Sequence, residues 1–542
     1  MGSSKRKDDH DAQEPTSRQR TRTPLLATRR LIALTAALAL ASGLAAGAGG
    51  AALIRNLGSG SSSPNGTTGP GGMNGTIGGA NTMQYDYSGS YSATLTADGS
   101  DETSDGEDIN ASDTDANVAL ARNGGTLTVS NGTLAKTGDG SNDDNCNFYG
   151  TNAIALVVGD GSTAIIDGSE LTADSTGSNG VFATDSGTAL VNDTTITTTA
   201  DNSRGLDATY GGTILASAVT ADTSGDHSAT AATDRGGGAV SITDSTLTTA
   251  GSGSPLLYST GDIQASGVTG TASGSQIAGM EGLNTILIND STLESTNTGT
   301  TGSDPIANGV IIYQSTSGDA EAATGEHATF QAKDSTLTSA IGSGSMFYVT
   351  NTTADVVLSS TALDFDTSAA TLLQASGNDA NGWGQAGSNG AAVNFTGRDQ
   401  TLAGDVVADT ISTVNLYLLD GTTWTGAASI TDNASAASGS TSDAPITVNV
   451  DGTSTWIVTD DTTISALNVA DGGSVVDADG DTVTIIADGG TVVKGTGDVT
   501  VTVTGGYTTT VDETDDTQLS DDIVDRSAFD EQFGTSTAWS MA

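Results

Sequence analysis

The sequence predicts an all-β chain: a right-handed parallel β-helix solenoid, preceded by a single N-terminal apolar signal or transmembrane helix and a flexible linker. Three observations predict it. A phrase of alternating apolar and polar residues returns with a mean period of about 24. A second, unrelated phrase keeps the same beat. No long segment with a 3.6-residue apolar period follows residue 56.

Residues 1–30 form a basic leader carrying Lys5, Arg6, Lys7, Arg18, Arg20, Arg22, Arg29 and Arg30 against only four acidic residues. Residues 31–54 hold no charge and are rich in Leu, Ala and Gly. A basic flank, an apolar stretch and small residues read as an export signal, with small-x-small cleavage sites at Ala39-Leu40-Ala41 and Ala46-Gly47-Ala48. The stretch is also long enough to span a bilayer of ~30 Å. Retained or cleaved, it keeps the basic flank cytoplasmic and sends the rest outside. Residues 55–84 are a Gly/Ser/Pro linker without core-forming side chains.

Residues 85–392 carry the regular coils. The first phrase reads Leu127-Thr-Val-Ser-Asn-Gly-Thr-Leu134, Ala189-Leu-Val-Asn-Asp-Thr-Thr-Ile196, Val240-Ser-Ile-Thr-Asp-Ser-Thr-Leu247, Ile286-Leu-Ile-Asn-Asp-Ser-Thr-Leu293 and Phe330-Gln-Ala-Lys-Asp-Ser-Thr-Leu337. Degenerate copies end at Val219 and Val268, and the closing residues Ile196, Val219, Leu247, Val268 and Leu293 are expected to form one inward column. The second phrase closes at Thr184, Thr209, Thr233 and Ser259. Period-two alternation with β-branched residues and Asp/Asn/Gly turns indicates two or three short strands and no helix per repeat. Such a repeat cannot bury its own apolar face, but stacked copies can. A narrow core also accounts for 35% hydrophobic and 4% aromatic residues. Asn297–Pro305, Ser315–Glu326 and Ser376–Gly390 lengthen individual coils. Residues 393–511 continue the solenoid with altered coils, and residues 512–542 form an acidic C-terminal cap or tail.

The net charge of -48 excludes nucleic-acid binding through phosphate contacts. One cysteine, Cys146, excludes an intrachain disulfide and reads as a small buried hydrophobe. His10, His227 and His327 are the only histidines and stand near no nucleophile motif. The turn aspartates Asp167, Asp193, Asp244, Asp290 and Asp334 are expected to stack along one edge, and so to favour raised salt or Ca²⁺.

Phe148-Tyr149-Gly150, Asn179-Gly180-Val181-Phe182, Arg204-Gly205-Leu206-Asp207-Ala208-Thr209-Tyr210-Gly211-Gly212 and Ala232-Thr233-Asp234-Arg235-Gly236-Gly237-Gly238 carry a resemblance. So do Phe347-Tyr348-Val349-Thr350-Asn351 and Leu418-Leu419-Asp420-Gly421-Thr422-Thr423-Trp424-Thr425-Gly426. Over residues 85–510 the chain resembles exported bacterial adhesin-like surface proteins with a right-handed, pectin-lyase-like parallel β-helix. The resemblance implies the fold and export, and no settled reaction.

Asp207 and Asp234 fall on adjacent coils, flanked by Arg204 and Arg235, with Glu281 two coils later. Paired carboxylates supply acid and base in glycoside hydrolysis, and cations stabilise developing charge in lyase chemistry. The same residues also fit turn carboxylates with a local ion pair. Asp477, Asp479, Asp481 and Asp488 have partial EF-hand spacing suited to Ca²⁺, with Thr482 where a sharp turn needs Gly; Asp-Gly turns give the same pattern. Asp139, Asp143 and Asp144 are a weaker version. The functional expectation is a non-enzymatic cell-surface or secreted rod that meets a surface glycan or matrix protein. The alternative is a polysaccharide lyase or glycoside hydrolase on the same fold.

Overall fold

The computed structural model describes residues 84–315, 327–380, 383, 387, 389–433, 436 and 445–542. The basic leader, the apolar stretch 31–54, nearly all of the linker and most of the insertion Ser315–Glu326 lie outside the described residues. Among the described residues no helix is long and apolar enough to cross a membrane.

Successive strands do not pair with one another. Each pairs with the strand one coil away, which builds a first sheet of 13 strands, a second of 15 and a third of 10, with the pairings among their described residues parallel. This is the arrangement of a parallel β-helix. In the first sheet Val181, Leu206, Ala231, Leu257 and Ala278 are successive partners, in steps of 25, 25, 26 and 21 residues. Insertions lengthen other steps: Ala278 to Val310, Val310 to Phe347 and Leu373 to Val406 contain the three loops expected from the sequence. Inward residues from all sheets merge into one core running from Ala97 to Val503. At ~4.8 Å per strand the second sheet extends for about 65–70 Å.

The recurring phrase is one corner of the coil. Its first four residues belong to the second sheet, its last two to the third, and its fifth residue turns the chain. That fifth residue is left-handed in every copy: Asn131, Asp193, Asp244, Asp290 and Asp334 have φ between 45° and 53°. Asn and Asp tolerate this conformation better than other side chains, and Gly does so freely. The sixth residue, Thr194, Ser245, Ser291 or Ser335, donates its hydroxyl to a carbonyl two residues back at 2.6–2.7 Å. The hydroxyls of Ser245, Ser291 and Ser335 also accept an amide from the preceding coil, on Val219, Val268 and Ser291, at 3.0–3.1 Å.

This geometry corrects two expectations. Ile196, Leu247 and Leu293 share a column, but its intermediate places belong to Ala221 and Gly270. Val219 and Val268 sit two residues earlier, in the serine row, where they are buried. A strict beat cannot tell adjacent inward positions apart when coil lengths vary by a few residues. The aspartate stack is also broken. Asp167 lies within the strand Thr163–Asp167, Gly168 takes the turn, and Ala218 and Gly267 occupy the turn positions between Asp193, Asp244 and Asp290. A third difference is a helix, Asp143–Tyr149, inserted between the partners Ala119 and Ala155. Asn142 caps it by accepting the Asn145 amide at 2.8 Å, and Gly150 ends it in the left-handed region.

The third sheet ends at Asp364, and a four-stranded sheet, from Thr401–Ala403 to Ser474–Asp477, follows. Here Trp424 and Trp456 are register partners, stacked at 4.9 Å, each donating its indole N–H to a glycine carbonyl. The antiparallel pair Thr484–Ala487 and Gly490–Val493 turns through Asp488-Gly489, both at positive φ, as a two-residue hairpin requires.

After Thr508 the chain doubles back as a strap along one outward column of the second sheet. The side-chain amide of Gln331 donates to the Gln518 carbonyl at 3.0 Å and accepts the Ser520 amide at 2.7 Å. Gln264 does the same with the Asp522 carbonyl and the Val524 amide, at 3.0 and 2.9 Å. Each glutamine thus pairs with the strap as a neighbouring strand does. Arg526 follows, and then the helix Ser527–Phe533 lays Phe529 on Ile165, Leu190 and Leu215.

Candidate functional site

Residues that alternate with the core on the first sheet point away from it. Phe182, Asp207, Ala232 and Tyr258 form one such column, and yet Asp207 is 0% exposed. The cover is the helix Asp143–Tyr149 and its flanks. Asn179 donates to the Cys146 carbonyl at 3.1 Å, Thr209 to the Phe148 carbonyl at 2.9 Å, and Asn117 to the Gly150 carbonyl at 2.9 Å. Cys146 is part of this cover, and burial pushes its thiol up to about 12, so it packs as a small hydrophobe.

Beneath the cover the structure brings together most of the residues proposed from sequence. Arg204 bridges two carboxylates: Nη1 to Asp207 Oδ2 and Nη2 to Asp234 Oδ2, both at 2.8 Å. Asp234 is offset by two positions from Asp207 in register, so the fork of one guanidinium reaches both. Burial opposes the Arg204 charge, but the two carboxylates outweigh it and raise its pKa. Burial pushes the Asp207 carboxyl up against the pull of Arg204. Arg235 lies 3.7 Å over the Phe148 ring, a cation–π contact.

Glu281 follows two coils on, in the column of Asp234, and is buried. It accepts hydrogen bonds from Tyr258 at 3.3 Å and from Ser315. Its register partner Tyr313 stacks on Trp383 at 4.3 Å, with Ile311 and Tyr348 in the same cluster. Nearby, burial raises the Asp304 carboxyl to about 7 against a 2.8 Å hydrogen bond from Asn308. The face therefore holds carboxylates and rings in one row, with the Arg204 group closed and charge-paired.

The calcium candidates are arranged as turns. Asp477 Oδ1 accepts the amides of Asp479 and Asp481 at 3.0 and 2.9 Å, Asp481 accepts from Thr496, and Asp488 makes the hairpin turn. Asp143 and Asp144 lie in the first turn of the short helix, and Asp139 accepts the Thr176 amide. Among the described residues, the group whose ligand atoms gather within 4.8 Å is a different one: His327, Asp355 and Asp516. Sequence reasoning missed it, because its members are far apart and Asp516 belongs to the strap.

No protein-family model matches the chain, and no curated protein matches it.

Proposed function

We propose that the chain is an exported, non-enzymatic β-helical rod of the adhesin-like, pectin-lyase-like kind, displayed at the cell surface or secreted, which presents its acidic faces to a surface glycan or matrix protein. The observation that carries this reading is the Arg204 bridge: the carboxylates best placed for acid–base work are buried and consumed by one guanidinium. A charge pair closed under a helix positions coils and does not meet a polymer. Export rests on the basic flank and the uncharged stretch 31–54. A glycan and matrix-protein binding array tests it, together with turnover assays on neutral and acidic glycans. Binding without turnover supports the rod. Turnover abolished by Asp207→Ala or Asp234→Ala in a folded protein replaces it with the enzyme.

One observation favours that enzyme as a second reading. Asp304, with its pKa near 7 and a neighbouring Glu281–Tyr313 row, has the proton affinity of a general acid. Loss of glycan turnover in Asp304→Asn, with folding intact, is the result that selects it.

A further inference from the structure

Asp355 lies on an outward column of the second sheet, in register with Asn394 and then Asn415. His327 immediately precedes the neighbouring strand Ala328–Lys333. Its Nδ1 stands 2.8 Å from Asp355 Oδ2. The other carboxylate oxygen, Oδ1, takes a 2.8 Å hydrogen bond from Asn394, whose own carbonyl oxygen takes one from Asn415 at 2.9 Å. This amide chain fixes the carboxylate plane and leaves Oδ2 directed at the imidazole. Ligating groups in metal sites are oriented by outer hydrogen bonds of this kind.

The third member comes from the strap. Asp516 sits in the turn Asp515–Thr517, which the Arg398 guanidinium ties to the sheet through the Thr517 carbonyl at 2.8 Å and Glu513 at 2.6 Å. The Asp516 carboxylate is half-buried and has no hydrogen-bond donor among the described residues. It therefore brings a second carboxylate to Asp355 and the imidazole. One imidazole and two carboxylates within 4.8 Å offer three ligand atoms from three separated stretches of chain.

We propose that His327, Asp355 and Asp516 bind one divalent transition-metal ion, of the zinc class, which clips the C-terminal strap to the solenoid. The imidazole selects this class over Ca²⁺ and Mg²⁺, which take oxygen ligands. Tetrahedral ligands at ~2.0–2.1 Å lie about 3.3 Å apart, so the group closes by small side-chain movements. Three protein ligands leave a fourth position that water would fill. Binding joins residues separated in sequence from 327 to 516 and so acts on the strap first.

The test uses the full chain stripped with chelator. Equilibrium dialysis against ZnCl₂, with CaCl₂ and MgCl₂ in parallel, is read by elemental analysis, and limited proteolysis of the strap is followed with and without Zn²⁺. The expected result is one zinc per chain, no comparable Ca²⁺ or Mg²⁺ uptake, and slower strap cleavage with zinc. His327→Gln and Asp516→Asn should each weaken zinc about 10-fold or more and abolish the protection. Asp479→Asn, in the turn that follows the strand Ser474–Asp477, should change neither. Asp516→Asn replaces a half-buried strap side chain, so its fold is preserved, and circular dichroism verifies it. Zinc retained at full affinity in either His327→Gln or Asp516→Asn overturns the proposal, as does the absence of stoichiometric zinc.

Discussion

Arg526 and Ser241 are 285 residues apart in sequence, and the Arg526 Nη1 donates to the Ser241 carbonyl at 2.8 Å. The same guanidinium reaches the Ala216 carbonyl and the hydroxyls of Ser241, Thr243 and Thr537. It is 2% exposed, and burial draws its pKa down to about 10. Arg526→Ala leaves buried carbonyls without donors, a loss of about 2 kcal/mol in local stability. Amide exchange across residues 518–526 should therefore quicken about 30-fold while the coil cores are unchanged. Equal acceleration in the coils would show that the strap has no separate opening.

Removing Arg204 exposes a different cost. Asp207 and Asp234 would remain buried without their counter-charge, so Arg204→Met should destabilise the surrounding coils by about 3–5 kcal/mol. Arg204→Lys keeps the charge but cannot fork between two carboxylates, and should recover only part of the loss. The check is the denaturation midpoint of both variants. Indistinguishable midpoints for Met, Lys and the parent would remove the bridge as a source of stability.

Two half-buried carboxyls make stability fall with rising pH. Asp262 and Asp304 are each raised by burial to about 7 from 3.8, with Gln264 and Asn308 hydrogen bonds opposing. Between those values the folded chain holds protons that the unfolded chain has released. Their contribution is complete below pH ~4 and disappears as pH climbs through ~7, on the order of 1–2 kcal/mol each after solvent screening. Thermal melts at pH 5 and pH 8 should show the loss, and Asp262→Asn with Asp304→Asn should flatten it. A parent protein that melts equally at both pH values contradicts this.

Ala218 sits in the left-handed turn column at φ 54°, where its neighbours in adjacent coils are Asp193 and Asp244. Its side chain is exposed and packs on nothing that Gly would sacrifice. Ala218→Gly should stabilise by about 1 kcal/mol, and Asp193→Ala should destabilise by a similar amount. Opposite signs in matched chemical denaturation are the expected outcome; two changes of the same sign would separate the turn preference from backbone conformation.

The coil was legible because its demands are local and repeat: an inward residue, a left-handed turn residue, then a hydroxyl. The phrase Asp290-Ser291-Thr292-Leu293 states all of them, and the copies at Asp244 and Asp334 restate them. Val219 and Val268 were misplaced because Ala221 and Gly270, which hold the true column, look like spacer residues. The Arg204–Asp207–Asp234 cluster was visible because coil spacing puts its members together, but burial by the helix Asp143–Tyr149 was not. Seven residues give too few turns for a helical period to register. The strap and the His327 group were invisible for a stronger reason. Gln264, Gln331 and Arg526 are ordinary polar residues until a chain segment crosses them, and no periodicity reports a contact made once.

A stack of coils transmits force only from neighbour to neighbour. The strap alters this, since it starts at the C-terminal coils and is fastened at Arg398, Gln331, Gln264 and Ser241 in turn. Tension applied at its far end reaches those attachments one at a time. They unzip in sequence, each releasing a short length of chain, before the first coil bears load. Under such a pull the strap is expected to peel off attachment by attachment, as a lanyard does, while the solenoid beneath it is still wound.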